Sequence, residues 1–189
     1  MGKKESFKVI REIHKGHRSE IRIVKRKADG ELLIWKKPKP SRFRPGSLEN
    51  QIKRSKYWRK FGVSKVKIWW HPDKTSLLKT YVDGPTLHKM LKNKENFFSK
   101  AKGRPFKALV KFVKNLTGSK HFIHDMKGAN IAFDGKNWQV IDSGPIYKMS
   151  SSKTRKEYRK VLLEKWSRSL SSEKEIDSLR SFLKKYTRT

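Results

Sequence analysis

Cysteine is absent from this 189-residue chain, which excludes disulfides, thiolate nucleophiles and cysteine-ligated zinc. Carboxylates are scarce as well. Only 17 Asp and Glu stand against 49 Lys and Arg, leaving a formal charge of +32. A charge of that size repels itself in the compact state and draws in polyanions, so nucleic acid, an anionic membrane surface or a phosphorylated glycolipid are the partner classes it favours. Codon bias towards lysine accounts for the abundance of cations but not for the shortage of acids. No apolar run approaches the roughly 18 residues that a membrane span needs. The opening "MGKKESFKVI" lacks the apolar stretch of a secretory signal, and Gly2 with Ser6 is a weak myristoylation match. The expected location is cytoplasmic, with peripheral contact at the inner membrane face. His17, His71, His88 and His121 do not fall at metal-ligand spacing.

What remains is enough for a core. Apolar residues make up 34% of the chain, below the roughly 45–50% of average soluble proteins. Aromatics reach 11%, with six Trp and ten Phe, and the apolar residues recur in regular patterns that argue against disorder. "FKVIREIH" (7–14) and "IRIVKRK" (21–27) alternate apolar and charged residues, as half-buried strands do. "ADGE" makes a tight turn into a third strand, "LLIWKK" (32–37). The prolines of "PKPSRFRPG" rule out regular structure, after which Ser47 caps a helix over "LENQIKRSKYWRKF". "VSKVKIWW" and "SLLKTYV" read as two more strands around the turn "HPDKT", with the Trp69–Trp70 pair packing the core. Beyond Thr86 the periodicity becomes helical, in "LHKMLKN" and then "FKALVKFVKNL". Two basic helices, 152–170 and 173–186, close the chain, the second with a Ser172/Glu175 capping box. The expected class is α+β, a five-stranded sheet with one helix over residues 1–84 and a mostly helical part over 85–189.

One segment concentrates the rare acids. In "FIHDMKGANIAFDGKNWQVIDSG" (122–144), Asp125 is followed by Lys127, Asn130 and Asp142. Phosphoryl transfer needs such a set. One carboxylate accepts the proton of an attacking hydroxyl, and a nearby lysine neutralises phosphoryl oxygens. An amide oxygen and a second carboxylate hold magnesium, a hard cation that prefers oxygen. The residues between Asn130 and Asp142 read as a hairpin that brings these two ligands together.

The segment resembles the catalytic and metal-binding loops of the protein-kinase-like superfamily, with the patterns H-x-D-x-K-x-x-N and D-F-G. The resemblance implies a two-lobed fold, its first lobe of about five antiparallel strands with one helix and its second reduced and mostly helical. It implies Asp125 as catalytic base, Lys127 as a phosphate-contacting lysine, and Asn130 and Asp142 as Mg2+ ligands. Lys36 resembles the third-strand lysine that holds ATP phosphates, with Lys37 as the alternative; strand alternation favours Lys36. Glu49, the sole carboxylate between residues 32 and 72, resembles its helix partner. Backbone groups of Thr80, Tyr81 and Val82 fall where adenine docks. The chain departs from the pattern in four places. Its first loop has one glycine, His124 directly precedes Asp125, "DSG" replaces D-F-G, and no A-P-E segment follows in the 45 residues after Gly144. Such truncation is similar to bacterial lipopolysaccharide-core sugar kinases and other reduced, RIO-like kinases. The implied function is ATP- and Mg2+-dependent transfer of a γ-phosphate to a hydroxyl, on an anionic core sugar at the membrane, by a monomer. The alternatives are a minimal protein serine/threonine kinase and a non-catalytic scaffold that binds nucleic acid.

Overall fold

A computed structural model of the chain describes residues 6–15, 19–40, 46–93, 97–98, 103–142 and 144–187. It is α+β, with a five-stranded antiparallel sheet and five α-helices among the described residues. By its internal contacts the chain divides into two compact units, Met1–Tyr57 with Val66–Tyr81, and Trp58–Lys65 with Val82–Thr189. The reading from sequence put its single boundary after Gly84.

The first unit holds the sheet. Its strands are β1 (Phe7–Lys15), β2 (Ser19–Arg26), β3 (Leu32–Pro38), β4 (Ile68–Trp70) and β5 (Leu77–Thr80), in the order β1-β2-β3-β5-β4. The β2–β3 turn forms because Gly30 takes a φ of 76° and Asp29 accepts the Glu31 N–H at 3.0 Å. That turn fixes the register, pairing Val24 with Leu33 and Ile23 with Ile34. A one-residue slip would turn the apolar set outward. Val24, Leu33 and Leu78 form a buried cluster, with Phe7, Trp35 and Trp69 packed against it. Trp69 therefore belongs to the packing, as its pattern implies. Helix α1 (Ser47–Lys60) follows β3 in sequence.

The strand expected over "VSKVKIWW" is shorter than its alternation implies, because its first half is held elsewhere. The Ser64 hydroxyl donates to the Val140 carbonyl at 3.0 Å, and the Lys65 N–H donates to the Gln139 side chain. Asn115 donates to the Gly62 carbonyl at 3.1 Å, and Val63 is wholly buried. These bonds tie residues 58–65 to the second unit and leave Ile68–Trp70 as the paired strand.

The second unit contains α2 (Leu87–Asn93), α3 (Arg104–Gly118), the short strands β6 (His121–Ile123), β7 (Ile131–Phe133), β8 (Trp138–Val140) and β9 (Ile146–Lys148), α4 (Ser151–Ser167) and α5 (Glu173–Tyr186). α3 buries Leu109, Phe112, Val113 and Leu116 on one side, at the three- and four-residue spacing of an amphipathic helix. Phe98, Phe106, Phe182 and Tyr186 make an aromatic cluster, with ring centroids 5.2 Å apart for Phe98–Phe182 and 5.0 Å for Phe182–Tyr186. α4 ends earlier than its periodicity suggests. The Ser169 and Leu170 N–H groups bond to Trp166 and Ser167 three residues back, a tightened final turn. Ser172 Oγ accepts the Glu175 N–H as the capping pattern implies, and the Glu175 carboxylate accepts the N–H of Ser171, one residue ahead of the cap. No helix among the described residues is long and apolar enough to cross a membrane.

Candidate active site

Asp125 lies two residues past the end of β6, in a backbone conformation that L-residues seldom adopt. Its φ is 60°, and Lys74 is the one other non-glycine with positive φ among the described residues. Asp enters this left-handed region more readily than most residues, yet it still costs about 1–2 kcal/mol. The neighbouring bonds hold it there. The Asp125 carbonyl accepts the Lys127 N–H at 2.8 Å and the Asn130 side-chain amide at 2.9 Å. Residues Gly128–Asn130 close as a 3-10 turn, with the Asn130 N–H donating to the Lys127 carbonyl at 2.9 Å.

These bonds bring three of the expected residues together. Lys127 Nζ lies 3.1 Å from Asp125 Oδ1, and Asn130 Nδ2 lies 3.3 Å from Asp125 Oδ2. The ion pair is half exposed, so it contributes little to stability and leaves the lysine able to meet an incoming anion. The Asn130 amide nitrogen bonds to Asp125, so Oδ1 is the side chain's acceptor atom.

The hairpin leads to the fourth residue. β7 pairs with β8 through Ile131 and Val140, and the Ile141 N–H donates to the Asn130 carbonyl at 2.9 Å. Asp142 is the next residue along. Asp134 shapes the hairpin turn, accepting the N–H groups of Lys136 and Asn137 at 2.8 and 2.6 Å, while Gly135 takes a φ of 85°. Burial tends to raise the Asp134 carboxyl, but these bonds and the one from Gln139 outweigh it and hold it below its ordinary value. A second tie joins the segment after Asp142 to His124, the residue before Asp125. The Gly144 N–H donates to the His124 carbonyl at 3.0 Å, and the His124 N–H to the Pro145 carbonyl at 2.9 Å. A side chain at residue 144 would bring its Cβ within 3.1 Å of the His124 Cβ and 3.3 Å of the Asp125 Cβ. The glycine of "DSG" thus permits close approach, while Ser143 lies outside the described residues. His124 contributes its backbone to this tie, and its side chain is exposed. The position two before Asp125 is the buried Ile123.

In the first unit Lys36 is half buried and Lys37 exposed. Lys36 Nζ donates to the Gln51 side-chain carbonyl at 3.1 Å. Glu49, its expected partner, is exposed in the first turn of α1. Two residues amount to about 200° around a helix, so Glu49 and Gln51 point to different sides. An amide acceptor carries no charge that would mark it in the sequence. Thr80 is paired with the segment before β4: its N–H donates to the Lys67 carbonyl at 3.0 Å, and its hydroxyl accepts the Lys67 N–H at 3.1 Å. Tyr81 and Val82 are half buried and lie where the chain passes from one unit to the next.

The donor set of the second unit suits a hard cation. Among the described residues no three His, Cys, Asp or Glu cluster as a metal cage. The Asn130 amide oxygen and the Asp142 carboxylate are oxygen ligands of the kind magnesium accepts when phosphate and water complete its shell. A further concavity of about 390 Å³ is lined by Arg104, Lys107 and Lys111 of α3 with Lys136 and Asn137 of the hairpin turn, and none of the expected site residues reaches it.

Two aromatic side chains of α4 were not among the expected site residues. The Tyr158 hydroxyl accepts the Ile123 N–H and donates to the His121 carbonyl at 3.0 Å. The Trp166 indole N–H donates to the Met126 carbonyl at 2.9 Å. Their four-residue recurrence with Leu162 was legible as a buried stripe among the many cations of the same helix. Comparison with protein-family models finds no match to this chain, and comparison with curated proteins finds none.

Proposed function

We propose that the chain is an ATP- and Mg2+-dependent phosphotransferase of kinase-like fold acting on a hydroxyl acceptor. The observation that carries the reading is the convergence on Asp125. An aspartate with a strained backbone has its carboxylate flanked by the Lys127 ammonium and the Asn130 amide, and the Ile141 N–H, one residue before Asp142, bonds to the Asn130 carbonyl. A positive φ is uncommon outside glycine, and backbone strain of this kind collects at functional sites.

In this reading Asp125 orients the acceptor hydroxyl and takes its proton, while Lys127 neutralises oxygens of the transferring group. Asn130 and Asp142 would hold magnesium, Lys36 the nucleotide phosphates, and backbone groups at Tyr81 and Val82, with the Thr80 carbonyl, the adenine, the Thr80 N–H being already bonded to Lys67. Bound MgATP supplies the phosphoryl group and spreads the charge that develops on it. Catalysis by such a set is chiefly positioning and electrostatic stabilisation.

The +32 charge supports an anionic acceptor, such as a phosphorylated sugar headgroup of a membrane glycolipid, and docking at an anionic surface by charge. The cationic concavity beside α3 adds a concave seat for an anion to the basic C-terminal helices. Thermal melting with MgATP tests the nucleotide claim. The wild type is expected to be stabilised, and Asp142→Ala is expected to lose the magnesium-dependent part of the shift. Absence of any shift in the wild type would remove the nucleotide from the proposal. Transfer of labelled phosphate to glycolipid or to protein hydroxyls distinguishes the sugar acceptor from the serine/threonine alternative. Ligand-independent RNA binding with no transfer would favour the scaffold.

A further inference from the structure

We propose that α4 sets the position of Asp125, with Tyr158 and Trp166 as positioning residues that grip the backbone on either side of it. The inference rests on the reading of Asp125 as the proton acceptor. Thr154, Tyr158, Leu162 and Trp166 recur every four residues along α4 and are wholly buried. Four residues are a little more than one turn, so they form one stripe. Within that stripe the two aromatic residues spend their polar atoms on the loop. Tyr158 takes the N–H of Ile123 and gives its hydroxyl proton to the carbonyl of His121. Trp166 gives its indole proton to the carbonyl of Met126. The held points are residues 121 and 123 on one side and 126 on the other, leaving His124 and Asp125 between them.

That arrangement explains how a left-handed aspartate persists. A carboxylate held in an uncommon backbone region would relax if either flank could move. Burial pushes the Tyr158 hydroxyl well above its usual range, so it stays protonated and keeps its donor at any working pH. Ser169, just past α4, adds a strut: its hydroxyl lies 2.8 Å from His88 Nδ1. The His88 backbone in turn abuts Gly128, where a Cβ would come within 3.0 Å of the His88 nitrogen. The 3-10 turn carrying Asn130 is thereby backed by the same region of chain. Leu162 shares the stripe and the burial but offers no polar atom to the loop, so it separates packing from positioning.

The experiment compares Tyr158→Phe, Trp166→Phe and Leu162→Ala in the full chain. Each is assayed for MgATP turnover well below its melting midpoint, for nucleotide affinity, and for amide hydrogen exchange at Ile123, Lys127 and Asn130. The two Phe variants are expected to lose turnover by about 10- to 100-fold, the scale of an ångström misplacement, while nucleotide affinity holds. Loop amides should exchange faster in both. Leu162→Ala is expected to melt lowest yet keep its turnover. Wild-type turnover in both Phe variants, or losses in all three that track only their melting midpoints, would overturn the proposal. If the wild type itself turns over no MgATP, the phosphotransferase reading fails separately. Exchange then decides the grip alone: faster exchange confined to the Phe variants supports it, and unchanged exchange refutes it.

Discussion

Asp125 carries two demands at once, a charge for chemistry and a backbone that most residues resist, and the two separate by substitution. Asn keeps the shape and enters the left-handed region with ease, whereas Ala does neither. Asp125→Asn is expected to melt close to the wild type and lose about 10²- to 10⁴-fold in transfer, the usual contribution of a positioned base. Asp125→Ala should lose the same activity and in addition melt lower, by strain of about 1 kcal/mol. Equal melting of the two variants would show that the backbone stores no strain. Elsewhere a carboxylate serves structure alone. Burial tends to raise Asp73, but bonds from the Thr75 N–H and the Ser76 hydroxyl, with His71 nearby, outweigh it and hold the group at about 2. Its folded value is depressed below the unfolded one, about 3.9. Its stabilisation is therefore complete above about pH 4 and is lost as pH falls through about 2. Melting of Asp73→Ala should lie below the wild type at pH 7 and converge with it near pH 2; a constant gap would rule out the charge as its source. Sequence spacing alone marked Asp125, Asn130 and Asp142, because turn geometry ties their roles to short separations. It missed Gln51, since Lys36 and its acceptor meet through tertiary placement and no motif demands an amide there.

Among elements, patterns that depend only on neighbours in sequence were legible and those that depend on a distant partner were not. The strands around the Asp29–Gly30 turn and the cap at Ser172 follow from local periodicity and turn chemistry. The strand expected over residues 63–70 is cut to Ile68–Trp70 because Gln139, more than seventy residues away, takes the polar groups of Ser64 and Lys65. β9 was likewise not expected, since His121–Lys148 and Ile123–Ile146 pairing joins the ends of a long loop. Gly84 is the position where element packing is least forgiving. A Cβ there would lie 1.8 Å from the Phe133 carbonyl oxygen, and because that atom is backbone of β7 it has no rotamer by which to yield. Gly84→Ala is expected to destabilise by about 1–3 kcal/mol or more through overpacking. Gly118→Ala, at the end of α3 with open space around its Cβ, should be neutral or mildly stabilising. Chemical denaturation of both variants checks the pair, and equal midpoints would disprove the close approach at Gly84.

For the whole molecule the open issue is whether its charge is merely large or also directed. A net +32 attracts any polyanion from any side, weakly and with strong salt dependence. The apolar faces of α4 and α5 are already spent on the core, through Tyr158, Leu162, Trp166, Leu179, Phe182 and Leu183, so these helices offer a membrane charge without insertion. The cations of α3 differ in being concave: Arg104, Lys107 and Lys111 face the same hollow as Lys136. Each lysine near an anionic bilayer contributes about 1 kcal/mol, so removing two from a true contact should weaken binding by about 30-fold. Lys107→Gln with Lys111→Gln is therefore expected to lower partition onto phosphatidylglycerol vesicles by that amount. Lys153→Gln with Lys156→Gln, which changes net charge equally on α4, should lower it only a few-fold. Equal losses would mean that net charge alone does the attracting. A larger loss from the α4 pair would move the contact to the C-terminal helices. If the α3 pair instead weakens RNA binding and leaves vesicles untouched, the partner is a nucleic acid, and the membrane acceptor falls with it.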